Sequence, residues 1–110
     1  MIDWTRIKLL RDEVGEEDFA DVVEIFIEEV TEMIDRLRDA PALDTLGDDL
    51  HALKGSALNL GFTTFSALCQ TGETSAANGL PEEIVLGPIL DSYDASKAAF
   101  LSGLEQGLAA

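Results

Sequence analysis

Several residue types are scarce in this chain of 110 residues, and each scarcity excludes a class of protein. The single cysteine, Cys69, rules out an internal disulfide and a thiolate metal cluster, so we expect a buried, unreactive thiol in a reducing compartment. Only 7 basic residues stand against 22 acidic ones, and the net charge of −15 disfavours nucleic acid and anionic membrane surfaces as partners. No stretch approaches the ~18 apolar residues of a membrane span, and the charged N-terminus does not resemble a signal peptide. These absences predict a soluble, cytoplasmic protein.

The chain also has only one histidine, His51, which limits the catalytic chemistry that it can perform. A metal enzyme in a helical bundle uses inward-facing Glu-x-x-His pairs on facing helices, and one histidine cannot supply them. A catalytic triad fails for the same shortage, because no second residue is placed to activate Ser56 or Cys69. The sequence contains neither a glycine-rich nucleotide loop nor EF-hand spacing. We therefore expect no metal site, no cofactor and no autonomous kinase activity.

The apolar residues that are present recur with helical spacing, and a chain of this length predicts one domain, residues 1–110. Alternating steps of four and three predict a long amphipathic helix whose apolar face consists of Phe19, Val23, Phe26, Val30, Met33 and Leu37. Acidic residues at positions 16–18 mark its start, and Pro41 marks its end. No segment alternates with period two, so the predicted fold class is all-α.

Four further helical segments complete the prediction. A second four-three pattern, closed by a cap at Gly61, consists of Leu46, Leu50, Leu53, Ala57 and Leu60. The next helix is expected from Thr63 or Thr64, with a hydroxyl as its cap, and the last is expected in two pieces, from Pro81 and again after a break at residues 86–88. A short helix from Asp3 to about Val14 precedes them all. Short connections favour an antiparallel up-down four-helix bundle with this extra N-terminal helix.

The surroundings of His51 single it out as the candidate functional residue. At about 100° per residue, it lies about 140° from the centre of the apolar stripe of its helix, so it faces outward. Gly47, Lys54, Gly55 and Leu58 fall on the same side. Each glycine inside a helix costs about 1 kcal/mol relative to alanine, which suggests that bare space beside the imidazole has a use. Gly47 has an alternative interpretation, as a cap in the loop before the helix.

This arrangement favours a carrier of phosphate. Imidazole titrates near neutral pH, so its neutral form is available as a nitrogen nucleophile without a dedicated base. Lys54, three residues on, could compensate the charge of a phosphoryl group on the ring, although a solvent-facing charge is the alternative reading. Phosphoryl transfer requires mainly positioning and charge compensation, and a carrier can take the metal and acidic residues from its partner.

The segment "HALKGSALNLG", residues 51 to 61, resembles the signature of histidine phosphotransfer (HPt) domains of bacterial two-component phosphorelays. The resemblance extends from "IDW" through "FIEEV" to the last helix, and it implies a four-helix bundle. It also implies that His51 is the phosphorylated residue, Lys54 the supporting cation and Gly55 the small residue that admits the partner. Ser56 and Asn59 match as well and are weaker candidates. In "LCQTGE", Gly72 replaces the leucine usual in the family, which could loosen that helix.

The resemblance further implies the partners. They would be the receiver domains of response regulators or of a hybrid histidine kinase, each bringing an aspartate and Mg²⁺, with this chain as a monomer. We expect docking on an apolar patch beside His51, built from Gly55, Leu58 and the off-stripe residues Ile25 or Ile27. A helical adaptor that docks without being phosphorylated is the rival hypothesis. The initiating methionine favours a free-standing protein over a piece of a longer kinase.

Overall fold

The computed structural model describes residues 1–109, and the elements named for this part of the chain are all helices, as predicted. Its five α-helices are α1 (Trp4–Val14), α2 (Glu16–Asp39), α3 (Leu46–Asn59), α4 (Thr63–Ala77) and α5 (Leu86–Glu105), and a 3₁₀ turn (Pro81–Glu83) precedes α5. Among the helices of the described residues, none is both long and apolar enough to cross a membrane.

The first helix begins where the sequence predicts it and covers part of the core. Asp3 caps α1 by accepting a hydrogen bond from the backbone N–H of Arg6 at 3.2 Å. Ile7 and Leu10 are buried, and the Trp4 ring stacks on Phe100 of α5 with 5.9 Å between ring centroids. The α1 helix is therefore an integral part of the packed structure.

The buried face of α2 includes the predicted stripe, with Phe19, Phe26 and Met33 partly buried against the core, but it is broader than predicted. Val23, Val30 and Leu37 are buried as expected, and so is Ile34, which was not predicted. Ile27 is also partly buried against the core, so the prediction that it lies off the buried stripe is wrong. The physical reason is its spacing, four residues after Val23 and three before Val30, which places it on their face.

The predicted core face and cap of α3 are confirmed. All five stripe residues are buried: Leu46, Leu50, Leu53, Ala57 and Leu60. After the helix ends, Gly61 has φ +71°, which is the left-handed conformation that glycine adopts most readily. The N–H of Phe62 donates to the carbonyl of Ala57 and that of Gly61 to Leu58, which is the Schellman arrangement. Gly47 lies in the first turn of α3 and is therefore not a cap in the preceding loop.

Two local predictions about the later helices need correction. No threonine hydroxyl caps α4; Thr63 instead donates both its N–H and its hydroxyl to the carbonyl of Met1, each at 3.0 Å. The chain start thus takes the place of the expected cap. The last segment is in two pieces, as predicted, but its first piece is a single 3₁₀ turn, and Pro88 lies inside the first turn of α5, where no backbone N–H is needed.

Helices α3 and α4 lie side by side in opposite directions. Among the residues that face each other, the numbers rise along α3 as they fall along α4: Gly47 and Ala76, His51 and Glu73, and Lys54 and Gln70. The up-down order of all four bundle helices stays a prediction, whereas this antiparallel pair positions the candidate site.

Candidate functional site

His51 lies on the outer face of α3, as the helical geometry predicted. Its side chain is 68% exposed, while Leu50 and Leu53 on either side of it in sequence are buried. The local sequence causes this placement, because the apolar stripe turns the opposite face of the helix toward the core. The imidazole is therefore accessible to another molecule.

Glu73 of α4 orients the imidazole. Its Oε1 lies 2.6 Å from His51 Nδ1, a distance typical of a strong charge-assisted hydrogen bond. A carboxylate can only accept, so the proton of a neutral ring must lie on Nδ1. The lone pair of that ring is then on Nε2, the nitrogen that is not held by Glu73.

Lys54 is held against the same carboxylate. Its Nζ lies 2.8 Å from Glu73 Oε2 and also donates to Gln70 Oε1 at 2.8 Å. Gln70 in turn donates from Nε2 to the hydroxyl of Thr74 at 3.2 Å. The ammonium is thus fixed by α4 beside the imidazole instead of extending freely into solvent.

Lys54 and His51 stabilise the ionised form of Glu73. Its pKa lies below the ordinary value because Lys54, first, and His51, second, hydrogen-bond to the ionised form, which outweighs the opposing effect of burial. The side chain is 23% exposed, and Oε2 is shielded from solvent. The site therefore contains a carboxylate shared by two nitrogen groups, one of which is the candidate nucleophile.

The two glycines near His51 have different surroundings. A Cβ at Gly55 would have no atom within 4 Å, so that side of the imidazole is open, and Leu58 nearby is exposed. A Cβ at Gly47 would lie 2.8 Å from the Cβ of Ala76, so this glycine allows α3 and α4 to approach closely. Only Gly55 has the free space that the docking hypothesis requires.

The remaining candidates are dispersed. Ile25 is 56% exposed, whereas Ile27 packs against the core. Asn59 accepts a hydrogen bond from Arg6 Nη2 at 3.2 Å, which fixes α1 to α3, and Ser56 is half-buried. Cys69 is fully buried, and burial raises the pKa of its thiol to about 12, as expected of an unreactive side chain.

Gly72 has a packing role. A Cβ there would lie 2.6 Å from Cδ1 of Leu50, so the missing side chain makes room for a buried leucine of α3. We find α4 continuous through this position. The departure from the family pattern therefore has a compensating contact across the α3 and α4 pair.

A groove of about 470 Å³ adjoins His51 on the side of the α3 start. His51 and Glu73 both contribute to its lining. Its other lining residues include apolar ones and two acids: Leu43, Ala76, Ala77, Pro81, Asp44 and Asp48. We call this feature the acidic groove.

Glu73 and Gln70 are the site residues that sequence reasoning missed. Each lies on α4, three residues apart, and they face His51 and Lys54, which are three residues apart on α3. The matching spacing is a usable signal, but it becomes informative only when the two helices are known to be paired in this register.

Comparison with known proteins gives one family. The family model described as Hpt domain matches residues 21–107, which is most of the chain. Neither a curated protein nor a solved structure matches the chain significantly.

Proposed function

Because the chain belongs to the Hpt domain family, whose members carry out histidine phosphotransfer in phosphorelays, we propose that it carries a phosphoryl group on Nε2 of His51. The observation that carries this proposal is the exposed imidazole whose Nδ1 is held 2.6 Å from Glu73. That hydrogen bond leaves Nε2 as the nucleophilic atom and directs it away from α4.

The transfer step conserves atoms and charge. The Nε2 lone pair attacks the phosphorus of an aspartyl phosphate on the receiver domain, the N–P bond forms, and the bond between phosphorus and the aspartate oxygen breaks. The aspartate leaves as a carboxylate. The imidazole ring becomes positive while it keeps its Nδ1 proton, and the carboxylate of Glu73 stabilises that charge. The reverse step returns the phosphoryl group to a receiver aspartate.

Lys54 provides the second electrostatic contribution. Its ammonium is held by Gln70 and by the carboxylate of Glu73 that also binds the ring, and we expect it to reach a group that arrives at Nε2. A phosphoryl group there would share the ammonium with Glu73, and each contact would offset negative charge. The Mg²⁺ that in-line transfer needs belongs, in this proposal, to the receiver domain.

Hpt domains interact with receiver domains, and we place the docking surface next to Gly55. The open space at Gly55 and the exposed side chain of Leu58 support an apolar contact there, and Ile25 is a further exposed apolar residue, on α2. In this proposal the chain acts as a monomeric intermediate between a hybrid kinase and a response regulator.

The test is transfer of labelled phosphate from phosphorylated receiver domains to the wild-type chain and to His51→Gln. We expect label on the wild type, lost in acid and stable in alkali as for a phosphoramidate, and none on the variant, which should retain its helical circular dichroism. Label on Ser56 or another residue of the variant would disprove the assignment. Binding of the receiver without transfer would instead support the adaptor.

A further inference from the structure

The acidic groove combines two kinds of surface that suit one kind of side chain. Apolar side chains, including Leu43, Ala77 and Pro81, form part of its lining, and Asp44 and Asp48 contribute carboxylates. Lysine and arginine have the matching construction, since an apolar stem carries a charged head that prefers a carboxylate. None of the described lining residues is a lysine or an arginine.

The charge of the groove has no partner of its own. Neither Asp44, in the turn before α3, nor Asp48, in its first turn, takes part in a salt bridge within residues 1–109. In that same part of the chain, no three His, Cys, Asp or Glu side chains are grouped so as to hold a metal ion. The missing positive charge is therefore better supplied by a side chain than by an ion bound here.

The groove also lies where a docked receiver would reach. Asp44, in the turn before α3, and Asp48, in the first turn of α3, precede His51, whereas Gly55 and Leu58 follow it. A receiver domain centred on Nε2 would cover both sides at once. Phosphorylation of His51 would add negative charge beside the groove, and a cation from the receiver would offset it.

We propose that the acidic groove is a second docking site that receives a lysine or arginine side chain of the receiver domain. This inference rests on the proposed function. The apolar patch at Gly55 and Leu58 would supply contact area on one side of His51, and the basic side chain would fix the rotation of the receiver on the other.

The experiment measures phosphotransfer from a phosphorylated receiver domain over a range of receiver concentrations. The main variant is Asp44→Asn with Asp48→Asn, and its matched control is Glu28→Gln with Glu32→Gln, which removes two charges from α2 beside Lys97 instead. A third variant, Ala77→Trp, fills the groove without changing its charge. Thermal unfolding of each variant checks that the fold is retained.

We expect the half-saturating receiver concentration to rise about tenfold in the Asp44/Asp48 variant, with a smaller salt dependence and a nearly unchanged maximal rate. Ala77→Trp should also raise the half-saturating receiver concentration, and the Glu28/Glu32 control should have a value close to that of the wild type.

Four results would overturn the proposal. Equal behaviour of the Asp44/Asp48 variant and its control would show that the groove is not used. If the Asp44/Asp48 variant has an effect and Ala77→Trp has none, the aspartates act by long-range electrostatic steering. If Ala77→Trp has an effect and the Asp44/Asp48 variant has none, the occupant of the groove is uncharged. If the wild-type chain accepts no phosphate from any receiver domain, the proposed function itself fails, and this inference fails with it.

Discussion

Substitution of Gly55 separates stability from phosphotransfer. A Cβ at this position meets no atom within 4 Å, so a side chain can be added without strain. Glycine inside a helix is about 1 kcal/mol less favourable than alanine, and glutamine is close to alanine, so Gly55→Gln should stabilise the chain by about 0.5–1 kcal/mol. That change corresponds to a rise of roughly 2–8 °C in melting temperature. The same side chain would stand one turn after His51, in the path of the receiver aspartate.

We expect Gly55→Gln to slow phosphotransfer about tenfold or more, because a misplacement of about 1 Å can cost on the order of a hundredfold in rate. Urea unfolding followed by circular dichroism measures the gain in stability, and rapid-quench transfer from a labelled receiver measures the loss of transfer rate. Gly55→Ala is the matched control, with a similar gain in stability and a smaller loss of rate. Gly72→Ala is a control with the opposite expectation. Its Cβ would lie 2.6 Å from Leu50 Cδ1, and this crowding should cancel the stability gained by replacing a helical glycine. Normal transfer by Gly55→Gln would refute the proposed docking surface.

Two further predictions concern the charges around the imidazole. Lys54→Ala should lower the melting temperature modestly, because its ion pair with Glu73 is only partly exposed to solvent, and should slow transfer about tenfold or more. Equal transfer rates would return Lys54 to the role of a solvated charge. Glu73→Gln keeps an acceptor for Nδ1 without the negative charge and should slow transfer in the same assay. Since the pKa of Glu73 is lowered in the folded chain, its contribution to stability is present above the unfolded value of about 4.3 and is lost as the pH falls through the lower folded value. Melting curves of the wild type and Glu73→Gln between neutral and acidic pH should therefore converge as the pH falls, and a constant difference would contradict the prediction.

The features that sequence alone predicted correctly are local ones. The buried stripe of α3, its glycine cap and the outward placement of His51 all depend on spacing within fewer than twenty consecutive residues. The same holds for the Asp3 cap of α1, whereas the break that was expected at residues 86–88 lies at residues 84–85 instead. Helical periodicity determines such features before any other helix is considered.

The features that sequence reasoning missed depend on pairing between distant segments. The contacts of Glu73 and Gln70 with α3 require the register of α3 on α4, to which the close approach of Gly47 to Ala76 contributes. Ile27 was misplaced because α2 buries a broader face than the simplest stripe suggests. Thr63 was expected to cap α4, whereas the carbonyl that it binds belongs to Met1.

The contact between the chain start and the turn joining α3 to α4 has a consequence for the thermodynamics of association. Asp3 donates its N–H to the carbonyl of Gly61 at 2.7 Å, and Ile2 pairs with Phe62, so the chain start binds the turn at two successive residues. The helices that carry His51 and Glu73 are thereby joined at a braced end. Their relative order is established during folding, and a receiver that docks on them has correspondingly little conformational entropy to remove. A preorganised surface of this kind raises the affinity that a given set of contacts can provide.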